Sequence, residues 1–394
     1  MKKNALERKL SSKIGEIRQV TARTKLMEIA STLDDVILLG RGDPDLDTPD
    51  HIKEAGKKAI DNNHTHYTEV RGLLSLREAI AAKYKRENNV DYNPKDEIMV
   101  TVGAQESLFL TMYALLDPGD EVLVGEPRYN AYDDAIEMVG GKVRVIPCKA
   151  EEDFLITPES LEASITPKTK AVVIVNPGNP VGFYGPHEIR ALAEIIKKHD
   201  LIVISDEIYE HIIFDGTPML SFASIPGMKE RTVTLNGMSK AYAMTGWRCG
   251  YMCAPAPFCE KITEYAHTLC ICAPTPTQYA ALEAYTGPQD CVNEYREIYR
   301  GRLKFMQKIL DDLGFKYIAP RAGFYLFTDV HSIGMDTYDF CEQLLKEQKV
   351  LVFPGELYMD PTNRHIRISL QTPTDRLEEA GRRITAFVKA HGKK

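Results

Sequence analysis

The chain has 394 residues, enough core for two domains. Its 49 basic and 56 acidic residues give a formal charge of −7, which argues against nonspecific binding to nucleic acid. It contains no run of about 18 apolar residues to span a membrane, and its start, Met1-Lys-Lys-Asn, lacks the apolar centre of a secretory signal, so a cytoplasmic location is expected.

From about residue 45 to about 285, apolar strands are predicted at 97–102, 121–125, 143–147, 170–175, 201–205, 232–236 and 249–253. They alternate with helical stretches, the pattern of an α/β fold with a mostly parallel, seven-stranded sheet covered on both faces. Val100-Thr-Val-Gly-Ala-Gln105 turns from the first strand into the apolar helical run 107–116. Gly103, Ala104 and Gln105 therefore present backbone N–H groups at a helix N-terminus, an arrangement that binds anions. Tyr129, in Glu126-Pro-Arg-Tyr-Asn-Ala-Tyr132, offers a flat face to an aromatic ligand. Asn179 lies in Asn176-Pro-Gly-Asn-Pro-Val-Gly182, just past the strand Ala171-Val-Val-Ile-Val175. Asp206 closes the run Leu201-Ile-Val-Ile-Ser205 at the carboxyl end of a buried strand, where ligands of open α/β sheets bind. Tyr209 comes three residues later.

The strand Thr232-Val-Thr-Leu235 leads into the most informative run, Asn236-Gly-Met-Ser-Lys-Ala-Tyr-Ala-Met-Thr-Gly-Trp-Arg248. A lysine amine whose pKa is lowered by burial or a neighbouring cation attacks carbonyls to form a Schiff base. Gly237 and Ser239 leave room for a ring beside Lys240, while the Ser239 hydroxyl and the Arg248 guanidinium suit a phosphate. A carboxylate such as Asp206 can keep a pyridinium nitrogen protonated, and Asn179 and Tyr209 can both hydrogen-bond a phenolic oxygen. Taken singly, each has an ordinary reading: Lys240 as a solvated lysine, Asp206 as a helix cap, Asn179 as turn chemistry, Tyr129 as core.

Past Gly287-Pro288 the character changes to a long charged helix over 291–313, strands near 323–329 and 364–370, and an amphipathic helix over 374–391. The expected organisation is a large cofactor-binding domain over 45–285 and a smaller α+β domain made of 1–44 and 286–394. The 8 cysteines are scattered, and Cys270-Ile-Cys272 has the wrong spacing for a zinc knuckle, so buried free thiols and no metal are expected.

Together these residues resemble the class I and II aminotransferases, the pyridoxal 5'-phosphate enzymes of fold type I, in the branch with bacterial aspartate and aromatic aminotransferases. The resemblance runs from Gly42-Asp-Pro-Asp45 to Arg367. It implies Lys240 as the lysine that carries the cofactor and shuttles a proton, Asp206 on the ring nitrogen, and Asn179 with Tyr209 on the phenolic oxygen. It further implies a phosphate site of Gly103, Ala104, Gln105, Ser239 and Arg248, with Tyr129 stacked on the ring and Tyr67, in Thr65-His-Tyr-Thr68, reaching the phosphate of the neighbouring subunit in a homodimer. Arg367, in His365-Ile-Arg-Ile-Ser-Leu370, matches the arginine that grips the substrate's α-carboxylate, and Gly42 and Phe324 match further pocket positions. Cys249 and Tyr129 are mild departures from the pattern. Gln105 is a larger one, since a relative that reads dicarboxylates carries lysine there.

The implied reaction moves an amino group between an amino acid (aspartate, glutamate or an aromatic one) and a 2-oxo acid such as 2-oxoglutarate, in two half-reactions that share one site. Arg41, Arg71 and Arg128 stand beside motif residues and are candidates to pair with an acidic substrate side chain, against the alternative that they pair with protein carboxylates. A carbon–sulfur β-lyase of the same fold is the rival enzyme reading. A cofactor-binding regulator is the non-enzymatic one, disfavoured because about forty residues before Gly42 leave no room for a DNA-binding domain.

Overall fold

A computed structural model describes residues 9 and 21–392. Of the N-terminal segment expected in the smaller domain, residues 1–8 and 10–20 lie outside the described residues.

Seven strands form one sheet: β1 (Ile98–Thr101), β2 (Glu121–Gly125), β3 (Lys142–Ile146), β4 (Thr169–Val175), β5 (Ile202–Asp206), β6 (Thr232–Gly237) and β7 (Gly250–Cys253). Their spatial order is β1-β7-β6-β5-β4-β2-β3, parallel from β6 through to β3, with β7 antiparallel to both of its neighbours. Consecutive residues Ala171, Val172, Val173 and Ile174 of β4 are all buried, so both faces of the strand are covered. This is why it reads as an unbroken β-branched run instead of an alternating one.

Topology concentrates the chemistry at one edge. β4, β5 and β6 are adjacent and parallel, so the segments at and after their carboxyl ends, which carry Asn179, Asp206 and Lys240, emerge side by side. The two reversals through β7 restore the direction of β1. Gly250 of β7 is the register partner of both Thr101 and Gly237, so the turn after β1 comes out beside the turn after β6. Gly103, at a positive φ of 78°, ends that turn and begins helix Ala104–Leu115. A Cβ on Gly250 would lie 2.3 Å from the Ala104 backbone nitrogen, so only glycine allows this approach.

A second, antiparallel sheet has the order β10-β11-β9-β8, built from β8 (Lys316–Ile318), β9 (Tyr325–Asp329), β10 (Phe353–Pro354) and β11 (His365–Ser369). Around it lie helices Ala22–Ser31, Asp290–Asp312, Thr337–Gln348 and Thr374–His391. The last buries Leu377, Ala380, Gly381, Ile384, Phe387 and Val388, the stripe expected of an amphipathic helix. One apolar cluster joins Leu26, Ile37 and Leu39 to Leu303, Phe340, Leu344, Ile366 and Phe387, packing the early chain against the last hundred residues. Arg302 fastens the Gly42–Asp45 segment to this body: its two terminal nitrogens donate to the Asp45 carboxylate at 2.7 and 2.8 Å.

The sheet strands fall within a residue or two of expectation. The helix Thr337–Gln348 and the short β8 and β10 add to it. Contrary to expectation, not all eight cysteines are buried: six are, but Cys270, at the end of helix Ala256–Cys270, is exposed and Cys272 is half-buried, because the chain there leaves the helix through Ile271 at a φ of 65° and runs along the surface.

Candidate active site

A cavity of about 970 Å³ opens at the carboxyl edge of the large sheet. Its deep end is made by strand-end residues. Asp206, the last residue of β5, is buried; its Oδ2 accepts from the Tyr132 hydroxyl at 2.8 Å and its Oδ1 from the Ile208 N–H at 3.1 Å. Burial pushes its pKa up, while the Tyr132 and Ile208 hydrogen bonds and the charge of Lys240 pull the other way. Lys240 donates from Nζ to the Gly42 carbonyl. Desolvation pulls its amine down to about 8, with Arg367 and Arg248 adding to the effect and Asp43 and Asp206 opposing it.

Arg248 adopts a left-handed φ of 54° at the end of the turn Thr245–Trp247. Its guanidinium donates to the Thr245 carbonyl at 3.0 Å and the Val102 carbonyl at 3.4 Å. It lies so close over Gly103 that a Cβ there would be 2.5 Å from it. A cation therefore faces the N-terminus of helix Ala104–Leu115, and the two fields add to favour an anion.

The other end is assembled from distant parts of the chain. Arg367, buried on β11, donates to Asn179 Oδ1 at 2.8 Å and to the Gly40 carbonyl at 2.6 Å. Its guanidinium is held between two aromatic rings, 4.1 Å from the Tyr325 centroid and 4.3 Å from the Tyr358 centroid. Its Nε is buried and has no hydrogen-bond partner among the described residues. Asn179 also donates through Nδ2 to the Tyr209 hydroxyl at 3.4 Å, so one amide bridges the two ends. The Gly40–Gly42 span runs between them, its carbonyls accepting from Arg367 and Lys240. A Cβ at Gly40 would meet the Phe353 ring at 2.8 Å and one at Gly42 the Tyr325 hydroxyl at 2.3 Å.

Of the residues singled out in the sequence, Gly42, Ala104, Gln105, Tyr129, Asn179, Asp206, Tyr209, Ser239, Lys240, Arg248 and Arg367 all line this cavity. Gly103 stands behind Arg248. Phe324 does not line the cavity: it is fully buried against Tyr209, Tyr299 and Tyr325, and it is Tyr325 that faces inward. Tyr67 is 77% exposed and away from this chain's own cavity. Cys249 is buried behind Arg248, its thiol pushed up to about 12 by desolvation.

Among the candidate arginines, Arg128 is paired with Asp133 through Nε and a terminal nitrogen at 2.8 and 2.9 Å, and Arg71 donates to Thr263 Oγ1 and the Lys95 carbonyl. Only Arg41 of the three lines the cavity. Sequence reasoning passed over Tyr132, Tyr325, Tyr358 and Arg23. The one available signal was the alternation of the strand at 323–329, which sends neighbouring residues to opposite faces.

The chain matches the family described as aminotransferase class I and II over residues 34–384. It belongs to that family. This aminotransferase is 41% identical over 359 residues to an aspartate aminotransferase of Pyrococcus abyssi, covering 90% of this chain and 92% of that one. It is 38% identical over 368 residues to aromatic-amino-acid aminotransferase 2 of Thermococcus litoralis, covering 93% and 95%. The crystal structure of an aromatic aminotransferase from Pyrococcus horikoshii superposes with a TM-score of 0.88 at 39% identity, covering 93% of this chain and 99% of that one. The fold is that of the pyridoxal-phosphate aminotransferases, and the chain is an enzyme that exchanges an amino group between an amino acid and a 2-oxo acid with pyridoxal phosphate as cofactor. The residues present fit that cofactor: an amine lowered to about 8 for its aldehyde, a buried carboxylate for its ring nitrogen, and a cation over a helix N-terminus for its phosphate.

Proposed function

We propose that this aminotransferase takes aspartate, glutamate or an aromatic amino acid as donor and a 2-oxo acid such as 2-oxoglutarate as acceptor. The names of its relatives, which include aspartate and aromatic-amino-acid aminotransferases, support that range. Pyridoxal phosphate, when bound, supplies an aldehyde and an electron-withdrawing ring. Lys240 holds that aldehyde and takes or returns the proton at the substrate Cα. Asp206, with Tyr132 fixing its carboxylate, keeps the ring nitrogen protonated. Asn179 and Tyr209 donate to the ring's phenolic oxygen, Tyr129 stacks on the ring, and Gly103, Ala104, Gln105, Ser239 and Arg248 bind the phosphate. Arg367 pairs with the α-carboxylate beside Gly42. Since amino acid and oxo acid both carry that carboxylate, one site serves both half-reactions and the kinetics are ping-pong.

The observation that carries this reading is the depressed amine of Lys240 in a cavity that Asp206, Arg248 and Arg367 share. Borohydride reduction of the yellow holoenzyme and subsequent peptide mapping test it. A pyridoxyl group on Lys240 is expected, and its absence from that residue overturns the reading.

The same reading takes 45–285 as the cofactor domain and 1–44 with 286–394 as the smaller one. It also takes the working unit as a homodimer in the cytoplasm, with Tyr67 reaching into the neighbour's phosphate site. Supporting the dimer, Tyr113, Tyr265 and Leu269 are each about half exposed, and the Tyr113 and Tyr265 rings meet edge to face at 5.1 Å between the helices Ala104–Leu115 and Ala256–Cys270. Light scattering on the eluted protein reads the mass directly. No helix among the described residues is long and apolar enough to cross a membrane.

A further inference from the structure

Five cationic side chains line the cavity: Arg23, Arg41, Lys240, Arg248 and Arg367. The proposed function employs three of them, for the cofactor aldehyde, the phosphate and the α-carboxylate, and an inference about the remaining two rests on that assignment. These are Arg23 and Arg41. Neither has a hydrogen bond or an ion pair with a carboxylate among the described residues.

Arg23 is placed beside the α-carboxylate end. Its guanidinium lies over the ring of Phe353, 5.9 Å from the centroid, and Phe353 is the register partner of Arg367 across β10 and β11. The charges of Arg23 and Arg367 both act on the Tyr358 phenol, whose ring packs on Arg367. One aromatic wall thus carries two guanidinium groups. Arg367 is buried and held by Asn179, Gly40 and two tyrosine rings. Arg23 is exposed and held by one phenylalanine ring.

The position of Arg23 in its own helix points the same way. It sits in the first turn of helix Ala22–Ser31, a turn with no acidic residue, and Thr21, whose hydroxyl caps the helix, also lines the cavity. A cation at a helix N-terminus is on the unfavourable end of the dipole, so an anion seated there relieves both. Two lining acids belong to neither the phosphate nor the ring-nitrogen position. Asp43 accepts from the Thr245 hydroxyl at 2.6 Å, and Glu356 has its pKa raised by partial desolvation and by the charge of Asp336, with Lys25 opposing. Gln105, which lines the same cavity, brings no charge.

We propose that Arg23 reads an acidic substrate side chain: a dicarboxylic amino or oxo acid places its α-carboxylate on Arg367 and its second carboxylate towards Arg23, along the wall of Phe353 and Tyr358. Arg23 is then the specificity determinant among the arginines, and Arg41, whose flanking carbonyls serve Arg367 and Lys240, is not. A planar donor fork suits a carboxylate, so lysine replaces it only in part.

The test uses the holoenzyme and the variants Arg23→Gln, Arg23→Lys and Arg41→Gln. The ratio of kcat/KM for L-aspartate to that for L-phenylalanine is expected to fall at least tenfold in Arg23→Gln and less in Arg23→Lys. Succinate, which cannot react, is expected to bind at least tenfold more weakly to Arg23→Gln, measured against butyrate, which has a single carboxylate. An equal loss for both amino acids, no change in the succinate-to-butyrate ratio, or a collapse of the ratio in Arg41→Gln alone overturns the proposal. Should the protein turn over no amino acid at all, the aminotransferase reading fails, while the succinate measurement still decides on Arg23.

Discussion

The two ends of the cavity are built in different ways. The cofactor end stands on the carboxyl ends of buried strands: Asp206 closes β5, and Lys240 and Asn179 come soon after β6 and β4. The substrate end is gathered from a helix near residue 23, the Gly40–Gly42 span, a turn at Tyr358 and an antiparallel strand bearing Arg367. On the proposed function, reaction chemistry is tied to the buried parallel sheet, and substrate choice to contacts between segments hundreds of residues apart. A change at the first end is expected to strike every substrate's turnover, and a change at the second to shift binding.

The largest effect that would sharpen this contrast is the loss of the lysine. Lys240→Ala is expected to lower kcat for any amino acid by about 10⁴-fold or more, since both the attachment point and the proton carrier disappear. Single-turnover absorbance with the substituted protein measures this. Asp206→Ala is expected to lower kcat by about 10²–10³-fold through loss of one buried electrostatic partner, with a smaller change in cofactor affinity; equal losses in both would erase the distinction between chemistry and binding at this end.

Next comes pH. The amine that attacks the aldehyde must be neutral, and burial lowers the Lys240 pKa to about 8. The lowered value puts the neutral form above that pH, so capture of added pyridoxal phosphate by the cofactor-free protein is expected to accelerate as pH rises towards 8 and level off above it. Stopped-flow absorbance across about pH 6–10 reads the midpoint, and a midpoint near the ordinary value for lysine, about 10.4, would contradict the burial argument.

The smallest effect belongs to the substrate end. Tyr358→Leu removes one of the rings packed on Arg367, worth about 1 kcal/mol. KM is expected to rise about fivefold, alike for amino acid and oxo acid, with kcat unchanged. A kcat loss instead would mean that the clamp serves the chemistry.

The same contrast explains what the sequence discloses. Residues of the cofactor end are legible because buried parallel strands read as apolar runs, and the residues just past the end of such a run sit at the binding edge. The substrate end is less so. Phe324 and Tyr325 are neighbours at the start of β9, and which faces the cavity depends on a register fixed by pairing with Ser369 on β11. Arg23 and Tyr358 carry no local mark of function, since their meaning comes from Phe353 and Arg367, brought near only by folding. Arg128 could have been set aside from the sequence, because Asp133 stands five residues on and takes its guanidinium.

The glycines at 40 and 42 have a further consequence. Neither position can accept even a methyl group without striking Phe353 or Tyr325, while the residue between them faces the cavity. The span behaves like a keyhole with fixed sides and an exchangeable ward: position 41 can be varied to reshape the pocket, and variation on either side of it breaks the lock.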